Sequence, residues 1–549
     1  MKAIDLYSGI GGWTLGLELA GIEVVRCYEW WDRALGTYNT NLPSVAKQQD
    51  IRALSPRDID VDRVDVIVGS PPCTQFSYAN RGGSGDIADG LKDIAKFLEI
   101  VAHFRPKYWA MENVPRVANV LERELAAGGQ LEDFNGLVSV IEVLDVSEFG
   151  VPQRRRRMIA GDFPVDILRS YKAVTPRITL GDVLSQLHSK RPTDPIYDLS
   201  ISRDQLTEME IEEHLDTEEK RMNYEAKRFH PVYNKMPFPD QTDRPSRTVT
   251  ALCTRVSRES IVIEDPAYPK KLRRLNVRER ACLQGFPINY QIMGRSYPEK
   301  LKLVGNAIPP PLTYLIGQAM SQTTADTLPP LARVTPKTSC DPAEVRRTPP
   351  TGRGTKYPAN RSFRAAIPNL RFGSGMRFDL SNKARESWVA WEIGFCFGPS
   401  KQVRRVDLDS HLYRALRAED FFEQLSQTIG NGSDRMMELL RDATPISIQR
   451  TWSRRADGIG PYDIVDELGR WAEELIDALH EVPEEQVETF VLEACGYKDT
   501  TERKNGIRKL AQNAMPVTAG MIIGVWFNSE SPLSSSAPVA SEVFVGDSA

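Results

Sequence analysis

The 549-residue chain has no apolar run approaching the ~20 residues that a membrane-spanning helix needs. It has no Cys-x-x-Cys pair, and its six histidines are scattered, so zinc-ribbon and His-based metal chemistry are not expected. Seven cysteines is an odd number for a disulfide scaffold and suits reduced thiols. The first residues, MKAIDLYSGIGG, lack the charged and apolar regions of a signal peptide, so a cytoplasmic protein is expected. Internal repeats are absent. There is also no excess of charge of one sign: 70 Lys and Arg face 74 Asp and Glu, a net charge of −4. A nucleic-acid partner would therefore be held by a local basic patch, not by the overall field.

What is present is a regular alternation. AIDLY (3–7), EVVRCY (23–28), VDVIV (64–68), KYWAME (107–112) and RMIAG (157–161) are short β-prone runs. Helix-like stretches such as 10–20 and 90–104 separate them. This pattern predicts an α/β fold, a doubly wound, mostly parallel sheet covered on both faces. Ligands of such sheets sit beyond the carboxyl ends of the strands. Further on, 208–228 is a charged stretch expected to form a solvated helix. Residues 321–360 are rich in proline and read as a linker, and eight Lys or Arg with no acid lie between Val345 and Phe378. That basic run is either a solvated arm or one that contacts phosphates. Val389, Trp391, Ile393, Phe395 and Phe397 alternate as a half-buried strand, and Ile464, Val465, Leu468, Trp471, Leu475 and Leu479 share one helical face. These two patterns predict an extra α+β C-terminal domain over 361–528.

The strand ends carry the chemistry. After the first strand comes Tyr7-Ser8-Gly9-Ile10-Gly11-Gly12, a turn that lets a ligand approach the backbone. It lacks the third glycine of a dinucleotide fingerprint, which disfavours an oxidoreductase. Glu29-Trp30 ends the second strand and Asp50-Ile51 follows. An acid there suits ribose hydroxyls, and an aromatic face suits a purine, so a nucleoside cofactor without pyrophosphate is indicated. Gly69-Ser70-Pro71-Pro72-Cys73-Thr74-Gln75-Phe76-Ser77 places one thiol on a proline-stiffened loop, a candidate nucleophile. Glu112-Asn113-Val114 puts an acid at the same edge. In Gly150-Val151-Pro152-Gln153-Arg154-Arg155-Arg156-Arg157, alternation aims either Arg155 and Arg157 or Arg154 and Arg156 at the active face.

The ordered set DLYSGIGG, EW, DI, GSPPCTQFS, ENV, GVPQRRRR, RPSRTVTA and GNAIPP resembles the C5-cytosine DNA methyltransferase family over roughly residues 1–320. The resemblance implies S-adenosyl-L-methionine as cofactor and double-stranded DNA as substrate. It implies that Tyr7, Gly9, Gly11, Gly12, Glu29, Trp30, Asp50, Ile51, Pro72 and Asn306 form the cofactor site. Cys73 matches the family nucleophile, Glu112 the acid at cytosine N3, and Arg157, helped by Arg155, the cation that holds the ring. One departure is Thr74, where the family has Gln directly after the cysteine.

The expected organisation is a catalytic lobe over 1–165 completed by about 300–320, a small target-recognition lobe over 166–299, the basic linker 321–360, the α+β domain 361–528 and a disordered tail 529–549. A monomer is expected, with residues 345–528 open to extra DNA contacts or to partner proteins of a restriction or defence system. Two other readings stand beside this one: a tRNA-directed relative, for which Cys253-Thr254-Arg255 is a poor match to the Cys-Phe-Thr signature of that branch, and a silent DNA-binding scaffold.

Overall fold

The computed structural model describes residues 1–61, 63–73, 75–76, 86–228, 236–338, 345–350, 352, 356–372, 376–385, 388–398, 404–497 and 505–534. The chain parts into two units, one made by 1–228 and 236–352 and the other lying beyond 353.

The first unit is built on seven strands: β1 (Lys2–Leu6), β2 (Glu23–Glu29), β3 (Lys47–Gln48), β4 (Val66–Gly69), β5 (Tyr108–Asn113), β6 (Val140–Asp145) and β7 (Arg156–Asp162). They line up in the order β3-β2-β1-β4-β5-β7-β6. The first five pair in parallel, whereas β7 runs antiparallel to β5 and β6. Alternation splits each strand between two cores. Ala3, Val66, Val68, Ala110 and Ile159 enter the core on one face; Ile4, Leu6, Ile67, Trp109, Met111 and Met158 enter the other. The mostly parallel sheet is therefore as the sequence predicts. β6 was not foreseen, because five of its six residues are only partly buried and its apolar face is short.

The strand order reverses between β1 and β4, where Leu6 pairs Gly69. The loops after these two strands consequently open side by side at the carboxyl edge.

Residues 166–320 do not stand apart. Leu180, Val183, Leu184 and Leu187 share one core with Trp13, Leu15, Phe286, Tyr290 and Leu312. The reason is a late return of the chain. Helix Pro310–Met320 packs along helix Gly12–Leu19, and a Cβ placed on Gly12 would lie 2.2 Å from the Ile308 carbonyl oxygen. Thr313 donates to the Gly12 carbonyl at 2.7 Å, and Tyr290 Oη to that of Ile10 at 2.5 Å.

Three expectations need correction. The charged stretch 208–228 is helical only over Thr217–Arg228, and Glu219, Asn223 and Lys227 on it are fully buried. Glu212 and Glu219 are not solvated because buried arginines meet them: Arg255 holds Glu219 at 2.7 Å, and Glu212 takes Arg274 Nε at 2.6 Å, whereas Glu213 stays exposed. The proline-rich stretch is no free linker up to 338, since Leu328 and Leu331 pack on the core and the Pro329 and Val334 carbonyls accept from Tyr314 Oη and Asp198 N. The tail begins later than composition suggests. A helix runs to Glu530, Leu533 is fully buried, and its carbonyl accepts from Trp391 N at 3.2 Å; 535–549 lie outside the described residues.

The second unit lays four antiparallel strands, β10 (Arg364–Arg371), β11 (Arg377–Arg385), β12 (Trp388–Phe397) and β13 (Arg404–Val406), in sequential order. A two-stranded ribbon of the first unit, β8 (Val262–Asp265) with β9 (Tyr268–Arg274), precedes them in the chain. The alternating residues of β12 and the single face of helix Pro461–Leu479 are buried as the periodicity predicts, with Trp391 and Trp471 each at most 1% exposed. Among the described residues no helix is long and apolar enough to cross a membrane.

Buried charge holds the 208–300 region together. Glu279, fully buried, accepts two hydrogen bonds from Arg273, at 2.7 and 2.9 Å, and one from Asn276 N at 2.8 Å, and His188 Nε2 lies 2.8 Å away. Burial alone would raise its pKa, but Arg273 and His188 outweigh it and hold the carboxyl at about 2. Glu279→Gln should cost about 3 kcal/mol, because the buried Arg273 loses its bidentate partner and keeps only Asp265, 3.3 Å away, as a counter-charge. The wild-type contribution should persist above the ordinary carboxylate range and fade as pH falls toward 2. Urea unfolding of both proteins across pH 3–7 checks the size and the sign.

Candidate active site

Four strand ends meet at one edge. The turn after β1 is bent back by left-handed backbone at Tyr7 (φ 57°), Gly9 (φ 56°) and Gly11 (φ 88°). A Cβ on Gly9 would meet nothing within 4 Å, so the loop borders open space there. Glu29, 8% exposed at the end of β2, accepts from Gly9 N at 2.8 Å and from Trp31 N at 2.7 Å. Burial pushes its pKa up while these backbone donors pull it down. The Trp30 ring next to it is 68% exposed.

The other predicted cofactor residues are placed less uniformly. Asp50 is exposed and caps a short turn through Arg52 N at 3.0 Å. The Ile51 side chain is buried in the second core, which leaves only its backbone for a ligand. Tyr7 turns its hydroxyl to Asp93 at 3.3 Å, and Arg52 clamps the same Asp93 at 2.7 and 2.9 Å. Pro72 is exposed beside Cys73, and Asn306 is the exposed last residue of helix Tyr297–Asn306.

The cysteine loop is fixed at both ends. Asn113 Nδ2 donates to the Pro71 carbonyl at 3.1 Å, Trp13 Nε1 donates to Ser70 Oγ at 3.1 Å, and Phe76 is fully buried after a turn closed by Phe76 N on the Cys73 carbonyl. Thr74 and Ser77 lie outside the described residues. Because β7 runs antiparallel to β5, Arg157 enters the edge that Glu112 leaves, and Arg157 Nε meets Glu112 Oε1 at 2.7 Å with both side chains largely buried. Cys73 belongs to the same set. Burial raises its pKa most, Glu112 raises it further, and Arg157 and Arg155 pull it down, for a net rise.

Alternation settles the arginine quartet in favour of Arg155 and Arg157; Arg154 and Arg156 are exposed. Arg155 does not face the cleft as a direct helper, which corrects the expectation. It is 2% exposed, and its guanidinium donates to the carbonyls of Val249 and Gly305, each at 2.9 Å. Gln153, not singled out from the sequence, works beside it. Its amide donates to Leu283 O and to Gln284 Oε1 and accepts from Val249 N at 2.7 Å. Gln284 in turn donates to Val304 O and Ala307 O. Asn113 and Gln153 stood inside quoted motifs, but nothing in the string showed that their amides would tie loops together.

A sequence profile of the C-5 cytosine-specific DNA methylase family matches residues 1–322. The chain belongs to this family. It is 30% identical to the Type II methyltransferase M.HindV of Haemophilus influenzae over 331 residues, which covers 58% of this chain and 96% of the relative. It is 28% identical to the Type II methyltransferase M1.HphI of Haemophilus parahaemolyticus, covering 58% of this chain and 86% of the relative. Among solved structures, the Dnmt2 methyltransferase of S. pombe aligns over 59% of this chain and 98% of its own, with 20% identity and a TM-score of 0.42. This methyltransferase carries its unmatched length at the C-terminal end.

The charge set makes a prediction that needs no DNA. Glu112→Gln removes a charge that raises the Cys73 pKa and frees Arg157 to lower it. Iodoacetamide labelling of Cys73 at pH 8, followed by peptide mass spectrometry, should run roughly 3–10-fold faster in the variant.

Proposed function

We propose that the enzyme methylates C5 of a cytosine turned out of duplex DNA, through a covalent bond between Cys73 Sγ and C6. The observation that carries the proposal is the single edge that gathers the Cys73 loop, the Glu112–Arg157 pair at 2.7 Å and the glycine turn. In this reading the proton that Cys73 loses as sulfur adds to C6 passes to the Glu112 carboxylate, and the ring gains negative charge. Glu112, protonated in this way, donates to N3 and Arg157 sits at O2, so the charge is stabilised where it develops. The net upward push on the Cys73 thiol keeps it protonated until a ring is beside it. Addition therefore awaits the substrate, which protects the thiol at rest. Proton loss from C5 to solvent and departure of Cys73 Sγ complete the cycle. A stacked duplex hides C6, so the base leaves the helix at a cost of a few kcal/mol.

The residues fit S-adenosyl-L-methionine. The open space at Gly9, the buried acid Glu29 and the bare Trp30 ring suit a small chain, a ribose and a flat base in that order. When bound, this cofactor supplies a methyl group on a sulfonium, the electrophile that an activated cytosine C5 attacks. Glu29 would hold the ribose, Trp30 would stack on the adenine, and Asp50 with the Ile51 backbone would meet its edge. Pro72 and Asn306 would border the methyl end. Arg155 acts from a distance, by its charge and by holding 249 and 305 in place. Residues 166–299 would read the target sequence. The setting that fits is a cytoplasmic modification enzyme paired with restriction or defence, acting as a monomer.

Cys73→Ser should abolish methyl transfer from labelled cofactor to bacterial DNA while leaving cofactor affinity by calorimetry within about twofold, because the hydroxyl is a far weaker nucleophile. Turnover in that variant would remove Cys73 from the role. Glu29→Ala should weaken cofactor binding by at least about tenfold, the worth of a charged hydrogen-bond partner, and lower kcat much less.

A further inference from the structure

The second unit separates its charges. Strands β10–β13 carry seven Lys or Arg against Asp379 and Glu392. Helices Pro461–Leu479 and Glu484–Ala494 carry ten Asp or Glu against Arg470 alone. The inner face of the sheet is apolar and covered, as Phe378, Leu380, Trp391, Ile393 and Phe395 are all at most 1% exposed. The outer face is the polar one, and it is open to solvent.

Register shows how the outer face is made. Arg364 pairs Ser381, Ser381 pairs Glu392, Asp379 pairs Gly394, Arg385 pairs Trp388 and Cys396 pairs Arg405, all on one side of the pleat. Asp379 is held by Arg364 at 2.6 Å and by Arg377 at 2.7 Å. Glu392 is held by Lys383 at 2.6 Å and by Arg405 at 3.0 Å. Each carboxylate thus stands under two cations, and Arg385 adds a third positive centre over the Trp388 ring at 6.0 Å. The acids fix the cations without cancelling them. The side chains of Arg364, Lys383 and Arg405 stay 55%, 57% and 52% exposed.

We propose that this outer sheet face binds the sugar–phosphate backbone of duplex DNA, as a docking surface separate from the catalytic edge. The substrate of the family is a polyanion, and this face offers it a net positive, pre-ordered array. From Arg377 to Arg385 along β11 is about 26 Å at ~3.3 Å per residue, the length of roughly seven or eight base pairs. Trp388 is the one aromatic on the outer side of β10–β12 among the described residues, so the face lacks the stacking platforms that a single strand needs. Backbone binding of this kind reads no bases, so it adds affinity and leaves target choice elsewhere.

The test uses the full chain with Arg364, Arg385 and Arg405 all changed to Gln, which leaves each carboxylate one cation. Affinity for a 30-base-pair duplex of arbitrary sequence is read by fluorescence anisotropy from 50 to 200 mM salt. The expected result is at least about tenfold weaker binding and a log–log salt slope shallower by about 2–3, near 0.9 per lost phosphate contact. KM for genomic DNA should rise while kcat at saturating DNA is unchanged. Equal affinity and equal slope in a variant that melts like wild type would overturn the proposal. So would a loss seen with polyglutamate or with single-stranded DNA and not with the duplex. If the triple variant melts early, Glu392→Gln decides: it removes a negative charge, so duplex binding should tighten and its salt slope steepen, and unchanged or weaker binding would overturn the proposal. Neither result depends on Cys73, so failure here leaves the catalytic proposal standing.

Discussion

The pairing of β1 with β4 is the constraint on which the catalytic unit rests. In a doubly wound sheet the chain must leave the first strand toward one side and later cross to the other, and the loops after the two flanking strands are left adjacent with no strand between them. Here Leu6 lies against Gly69, and a Cβ on Gly69 would fall 2.3 Å from the Leu6 carbonyl oxygen. That close approach sets the glycine turn next to the cysteine loop. The proposed chemistry needs a methyl donor and a nucleophile on one ring at one time, and backbone hydrogen bonding between the two strands supplies the adjacency.

The second requirement is a floor under that edge, and the late segment provides it. Its position is fixed by carbonyl groups turned toward buried nitrogen donors. Arg155 takes Val249 and Gly305; Gln284 takes Val304 and Ala307; Gln153 joins Gln284 to Val249. Burying a guanidinium is unfavourable unless its donors are met, and the same rule makes the bond set hard to rearrange. An arginine that sits one alternation step from Arg157 thereby becomes a staple, while Arg157 remains at the edge with Glu112. Two arginines of one alternating run part company because one is satisfied by backbone and the other by a carboxylate.

Much of this was legible in the string. Strand ends, the glycine turn, Cys73 and Glu112 announce themselves because local patterns carry them: apolar runs of strand length, Gly where the backbone must turn left, Pro-Pro before a thiol. Alternation also narrowed the arginine quartet to two pairs. The rest depends on partners distant in sequence. Nothing near Glu219 says that Arg255 will neutralise it, so its helix reads as solvated. Nothing near Pro329 or Val334 says that Tyr314 and Asp198 will hydrogen-bond their carbonyls, so the stretch reads as a linker. Ile51 reads as a cofactor contact from its neighbour Asp50, yet its side chain completes a core with Tyr28 and Leu54. Charge and proline content report on surface only when no counter-charge or donor returns from elsewhere in the chain.

The edge beside Cys73 and the outer sheet face of the second unit handle charge differently. At that edge three acids among the described residues are paired: Glu112 with Arg157, Asp93 with Arg52, the Glu29 carboxylate with two backbone donors. Unpaired charge there would be costly to bury and would bind the wrong anions. On the outer sheet face of the second unit, cations exceed carboxylates and stay wet, so their field reaches about a Debye length, ~8–10 Å, into solution. In the proposed docking, a net positive face on a chain of net charge −4 would favour approach of a polyanion to that face of the second unit. Segregation of charge would then give direction to an encounter that composition alone opposes.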